Sequence, residues 1–153
     1  MTVAFIVREN ISVTEELQKR IEEVVTDLVI SEWASTFIFT GVGAFDSACY
    51  DVVTKLKKLF PEIQRQYVSG DCEYNERDVA YVSKFYDKYF FPDKNEVMSY
   101  QLRDFAMIER CDVLVTYCNI SYQLAAKWIN CTATAMAYAW KKKKRIINLF
   151  ENN

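Results

Sequence analysis

The chain has 153 residues, 51% of them hydrophobic and 26% charged, and 19 basic against 21 acidic side chains give a formal charge of −2. That length suits one domain, and that composition suits a globular chain with a core. It argues against general electrostatic binding of nucleic acid and leaves a local basic patch open; with no run of about 18 apolar residues it excludes a membrane-spanning helix, and the opening MTVAFIVREN lacks the basic start of a secretory signal.

Residues 3–7 (VAFIV) form a short apolar run fit for a buried strand. Ser12 and Glu15 fit a capping box with Ser12 as N-cap, and Leu17, Ile21, Val24, Val25 and Leu28 then recur at helical spacing. Residues 36–40 (TFIFT) read as a second strand ending at Gly41-Val42-Gly43, and the helix over 45–59 stops before Pro61. Residues 63–69 read as a third strand, polar enough to lie nearer an edge. Residues 72–97, rich in Tyr, Phe and charge, read as a helix plus a loop crossing the ligand edge of the sheet. Leu102, Phe105, Ala106 and Ile108 give an apolar helical face before a fourth strand at 113–117, whose entry Asp112 caps. A helix over 133–143 leads to a fifth strand at 145–150. Apolar strands separated by helices imply an α/β fold, a Rossmann-like three-layer sandwich with a mostly parallel sheet of about five strands.

Histidine is absent, which removes His-based catalytic triads and the usual zinc sites. The five cysteines, Cys49, Cys72, Cys111, Cys118 and Cys131, form no C-x-x-C pair. A reducing cytoplasm is therefore expected, with no disulfide framework, no metal and no cofactor.

In open α/β sheets, ligands bind beyond the carboxyl ends of the strands. Two of the chain's three glycines lie in the turn Thr40-Gly41-Val42-Gly43-Ala44-Phe45-Asp46. Glycine allows positive φ and close approach, and the helix that follows offers unpaired N–H groups, so Gly41, Val42 and Gly43 form a candidate phosphate cradle. A plain strand-to-helix turn explains the same residues. Asp46 is a candidate ribose ligand or base, or a carboxylate complementing the helix N-terminus. Arg8 follows the first strand and is a candidate counter-charge, or a surface ion-pair partner. Arg103, on the helix before the fourth strand, is a candidate for the same edge. Thr132 and Thr134 open the last helix as a second candidate anion site, or as simple caps. Cys131 stands near that helix start, which lowers a thiol pKa, but nothing fixed beside it supports a nucleophile. The run KKKKR at 141–145 suits a helix C-terminus.

Together these segments resemble the SLOG (SMF/DprA–LOG) superfamily, especially its small stand-alone bacterial and phage members. That family has a G-H-R-like triad after strand 1, where this chain has Val7-Arg8-Glu9. Its G-G-x-G-x-F-D turn corresponds to Thr40 through Asp46, and its L-K-x-x-Y-P-x-I-K helix end to Leu56 through Gln64. Its R-N-x-x-M-I-x-x-S-D segment corresponds to Arg103 through Asp112, and its S-G-T-A start to Asn130-Cys131-Thr132-Ala133 before Ile146-Ile147-Asn148-Leu149. The resemblance implies a Rossmann-like fold that binds nucleotides or their derivatives. Some members resemble sensors of ADP-ribose-like signals in antiviral defence, and the LOG enzymes cleave the N-glycosidic bond of nucleoside monophosphates. The LOG P-G-G-x-G-T-x-x-E loop is absent here, and Cys131 stands where Gly is usual.

The resulting expectation is a sensor or sequestering protein for a nucleotide or ADP-ribose-like small molecule, in nucleotide-signalling defence or counter-defence. Arg8, Gly41, Val42, Gly43, Asp46, Arg103, Thr132 and Thr134 are its candidate ligand residues, with Tyr74, Tyr117 or Tyr122 stacking on a base. Two alternatives stay open: an N-glycoside hydrolase or transferase using Asp46 or Glu109, and an interaction subunit without a ligand. The 23 aromatic residues (10 Phe, 10 Tyr and 3 Trp) exceed what one sheet and its helices need, so a homo-oligomer is expected, with residues 81–91 and the helix after Ser12 as contacts.

Overall fold

The computed structural model describes residues 1–70, 76–90, 100–125 and 131–150. The elements run β1 (Thr2–Phe5), α1 (Glu15–Glu32), β2 (Thr36–Phe39), α2 (Ala44–Leu59), β3 (Gln64–Val68), α3 (Glu76–Phe85), β4 (Lys88–Phe90), α4 (Tyr100–Arg110), β5 (Val113–Thr116), α5 (Ile120–Ala125), α6 (Thr132–Lys141) and β6 (Arg145–Asn148). The sheet has six strands in the order β4-β3-β2-β1-β5-β6, every pairing parallel. This is the expected three-layer sandwich. Strand order grows outward from β1 on one side and restarts with β5 on the other, so the switch point lies between β1 and β5.

Alternation along the central strands builds a core on each face. Val3 and Phe5 of β1 join Phe37, Phe39, Val113 and Val115 against Leu17, Ile21 and Val25 of α1 and Cys49 and Val53 of α2. Ala4, Ile6, Ile38 and Leu114 point the other way, onto Met107 and Ile108 of α4 and Ala135 and Ala139 of α6. Phe5 stacks between Phe37 and Phe39, with centroids 6.0 and 5.2 Å away. Strands covered on both faces need continuous apolar runs, which is why β1, β2 and β5 stand out in the sequence. Among the described residues, no helix is long and apolar enough to cross a membrane.

Two expectations need correction. Thr14, not Ser12, caps α1: its extended backbone brings Oγ1 within 3.1 Å of the Leu17 N–H. Glu15 is then the first helical residue, too early for a capping box. β3 lies near an edge as expected, with β4 alone outside it among the described residues. Its polarity has a local cause: Arg65 ties it to the start of β4 through Asp87, which accepts from Arg65 N at 2.8 Å and Nε at 3.1 Å. Finally, the segment expected as helix plus loop supplies α3 and then β4, a strand of three exposed residues. The remainder of that segment, at 71–75 and 91–99, lies outside the described residues.

Candidate functional site

Over the carboxyl ends of β1 and β2 lies an open cleft of about 320 Å³, lined by Val7, Arg8, Thr40, Val42, Tyr100 and Arg103. That is near the small end of the range for ligand sites, roughly 300–1,000 Å³. β1 delivers Val7 and Arg8, β2 delivers Thr40 and Val42, and the first turn of α4 delivers Tyr100 and Arg103.

The turn after β2 owes its shape to two glycines, Gly41 at φ +73° and Gly43 at φ +94°. Gly43 is the N-cap of α2, and a Cβ there would meet nothing within 4 Å. A Cβ on Gly41 would lie 2.7 Å from Cε2 of Tyr67. Ser47 N–H returns to Gly43 O at 3.1 Å. The N–H groups of Ala44, Phe45 and Asp46 have no acceptor among the described residues, as expected for an uncapped first turn.

Asp46 turns inward. Its Oδ1 accepts from Thr40 N at 2.8 Å and Thr40 Oγ1 at 3.0 Å, and its Oδ2 accepts from Gly41 N at 3.1 Å. The residue is 6% exposed and does not line the cleft. Its oxygens shape the glycine turn, which leaves the ribose and base roles without an outward-facing atom. Burial pushes its carboxyl up to about 6, against the pull of these hydrogen bonds.

Two arginines share one carboxylate at the cleft wall. Arg103 gives Nε and Nη2 to Asp104 Oδ1 at 3.2 and 3.0 Å, and Arg8 Nη1 reaches Asp104 Oδ2 at 3.3 Å. Arg103 is 5% exposed, and its Nη1 makes no hydrogen bond among the described residues. The guanidinium carbons of Arg103 and Arg8 lie 5.0 and 5.6 Å from the Tyr100 ring centre. Burial raises the Asp104 carboxyl while both guanidiniums oppose it. Gly70, after β3, makes this packing possible: a Cβ there would lie 2.8 Å from Cδ1 of Tyr100.

At the start of α6, Thr132 is fully buried. Its Oγ1 accepts the Arg8 N–H at 2.8 Å and donates to Glu9 Oε2, and its N–H donates to Glu9 Oε1 at 3.0 Å. Ala133 N–H donates to the buried Gln123 Oε1 at 2.8 Å. Thr134 N–H returns to Cys131 O at 3.1 Å, and its hydroxyl lies 3.6 Å from Cys131 Sγ.

The structure thus brings Arg8, Val42 and Arg103 to one cleft beside the Gly41–Gly43 turn. It turns Asp46 into that turn and commits Thr132 to Glu9. Of the aromatics expected to stack, Tyr74 lies outside the described residues. Tyr117 packs edge-on against Phe150 at 5.3 Å, and neither it nor Tyr122 lines the cleft. Tyr100 does, at 54% exposed. Glu9, Tyr100 and Asp104 were missed in the sequence. Two of them stand directly beside singled-out arginines, and an acid next to a candidate ligand arginine was the available signal. No protein-family model matches the chain, and no curated protein matches it.

Proposed function

We propose that the chain binds a nucleotide-type ligand, ADP-ribose-like compounds included, as a sensor or sequestering protein. A phosphate sits against the first turn of α2 and Arg103, with Arg8 as further positive charge and Tyr100 as the stacking face for a ring. The observation that carries this reading is Arg103: a guanidinium held at the cleft wall by Asp104, whose Nη1 is open to solvent and makes no hydrogen bond among the described residues, while three N–H groups at the start of α2 have no acceptor among them either. Arg8 and Arg103 place two guanidiniums on the wall of the same cleft. The segment-by-segment likeness to the SLOG superfamily supports the same ligand class, and with it a cytoplasmic place in nucleotide-signalling defence or counter-defence. Exposed aromatics on α3 and β4 support a homo-oligomer.

Thermal shift against nucleotides and linear and cyclic ADP-ribose compounds tests it. A ligand at 100 times its Kd adds about 2.7 kcal/mol of stability, and Arg103→Ala is expected to abolish the shift. A wild-type protein that no such compound stabilises overturns the reading.

A second reading, cleavage of the ligand's N-glycosidic bond, draws on the raised Asp46 carboxyl. The inward bonding of both Asp46 oxygens favours binding instead. Chromatography after incubation with nucleoside monophosphates is expected to return them intact; free base whose release stops in Asp46→Asn would favour the enzyme.

A further inference from the structure

The helices of a parallel sandwich run opposite to its strands, so their carboxyl ends gather at the amino edge of the sheet, away from the cleft. The connections on that edge, at 33–35, 60–63, 86–87, 111–112 and 142–144, all lie within the described residues. The three most exposed large apolar side chains described there are Trp33 after α1 at 82%, Trp140 in the last turn of α6 at 78% and Leu59 at the end of α2 at 74%. The run Lys141-Lys142-Lys143-Lys144-Arg145 follows Trp140 directly. Arg145 Nη1 donates to Glu32 Oε1 at 2.8 Å and Oε2 at 2.6 Å, which ties the Trp33 turn to the turn after Trp140. Lys142 meets Glu109 at 3.5 Å, and Asp112 accepts the Thr2 N–H at 2.8 Å. Lys141 and Lys143 are exposed and pair with no carboxylate among the described residues.

The fold does not account for these choices. Trp33 and Lys143 are the two non-glycine residues with positive φ among the described residues, at 60° and 57°. Glycine suits such a position after a helix, and side chains this exposed add little to a core. The helix dipole accounts for Lys141 in the last turn of α6, but it falls off within that turn and does not account for Lys143.

We propose that this edge docks on an anionic bilayer surface, with Trp33 and Trp140 entering the headgroup layer and Lys141 and Lys143 meeting acidic headgroups. Indole rings favour the boundary between apolar and wet regions of a membrane. Each lysine close to an anionic leaflet strengthens binding by about fivefold. α1 and α6 pack on opposite faces of the sheet, so a partner that reaches both tryptophans must present a broad surface, as a bilayer does and a single extended strand does not. Docked on this edge, α1 stands upright, and Glu22 and Glu23 lie about 15 Å up the helix from Trp33, beyond the screening length of about 8 Å. The cleft faces away from the bilayer. A surface contact needs no membrane-spanning helix, and this one does not rest on the nucleotide reading.

The test is co-sedimentation with vesicles of phosphatidylcholine alone and of phosphatidylcholine with about 30% phosphatidylserine. The wild type is expected to bind the anionic vesicles at least about tenfold more tightly than the neutral ones, and to release them as salt rises from about 0.05 to about 0.5 M. Lys141→Glu with Lys143→Glu is expected to weaken binding by about twentyfold or more. Trp33→Gly with Lys143→Gly relieves both positive-φ positions, so its melting temperature is expected to hold or rise while vesicle binding falls by about tenfold. A purely structural role for these residues would move both readouts together. If the charge-reversed variant fails to fold, the glycine variant decides. Equal binding to both vesicle types, binding to neither, or unchanged binding in the folded variants overturns the proposal. So does binding of polyglutamate or a single-stranded oligonucleotide as tight as that of the anionic vesicles, which would assign the edge to an acidic polymer.

Discussion

Arg8 and Asp104 stand 96 residues apart in sequence and meet at 3.3 Å, and Arg103 holds the other oxygen of the same carboxylate. This three-residue cluster joins the loop after β1 to α4, one wall of the cleft to another. The carboxylate holds both guanidiniums in place.

Replacing Asp104 by Asn keeps a carbonyl acceptor and removes the negative charge. Stability is expected to fall by about 1–3 kcal/mol, because buried guanidinium groups lose their charged acceptor. Phosphate affinity is expected to rise by roughly three- to tenfold as the cleft becomes more positive. Urea melts and phosphate titrations read both. Unchanged stability together with weaker phosphate binding would show that the cluster does not set the charge of the cleft.

Asp46 carries a pH signature. Its carboxyl is raised from 3.8 to about 6 by burial, so between those values the folded state binds more protons than the unfolded state. Stability therefore falls as pH rises through that window, by about 3 kcal/mol in full. Asp104, also raised, adds the same sign, so the difference from Asp46→Asn isolates Asp46. Moving from about pH 4.5 to pH 7 is expected to cost the wild type about 2 kcal/mol more than it costs the variant. Parallel pH profiles of the two proteins would mean that Asp46 titrates normally.

The two turn glycines separate strain from binding. Gly41→Ala meets both a positive φ and the Tyr67 ring at 2.7 Å, and is expected to cost about 2–4 kcal/mol. Gly43→Ala meets a positive φ but open space, and is expected to cost about 1–2 kcal/mol. Gly43→Val fills that space beside the unpartnered N–H groups of α2, so phosphate binding is expected to fall far more than stability. Equal phosphate affinity in Gly43→Val removes the turn from the site.

The layers and the parallel sheet were legible because buried parallel strands must be apolar on both faces, and VAFIV, TFIF and VLVT are. β4 was not, because three exposed residues carry no alternation, and Lys88–Phe90 pairs through its backbone with Gln66, Tyr67 and Val68. The helix cap was misplaced because Ser12 and Thr14 are both good capping residues, and the choice is made by where Ile11 and Val13 pack on the core. At the site, Arg8, Arg103 and the glycines follow from strand ends and turn chemistry. The fates of Asp46 and Thr132 do not: each is decided by a partner, Thr40 or Glu9, whose bond depends on side-chain direction and not on spacing. Tyr100 was hidden because only the packing of Gly70 shows that its ring stands over the arginines.

Among the described residues β4 ends the sheet, and Tyr81 and Phe85 of α3 lie beside each other, centroids 5.0 Å apart, both exposed. Tyr89 and Phe90 of β4 are exposed as well. A sheet edge next to an aromatic patch is a surface that natural proteins usually cover, and a two-fold pair is the commonest way to do so. Light scattering at micromolar concentration is expected to give a multiple of the 18.0 kDa chain mass. Tyr81→Glu with Phe85→Glu, which places like charges at the patch without touching the core, is expected to return the single-chain mass while the melting temperature of the fold changes little. A wild-type mass of 18.0 kDa, with and without nucleotide, would show that this patch faces solvent and that the cleft is complete within one chain.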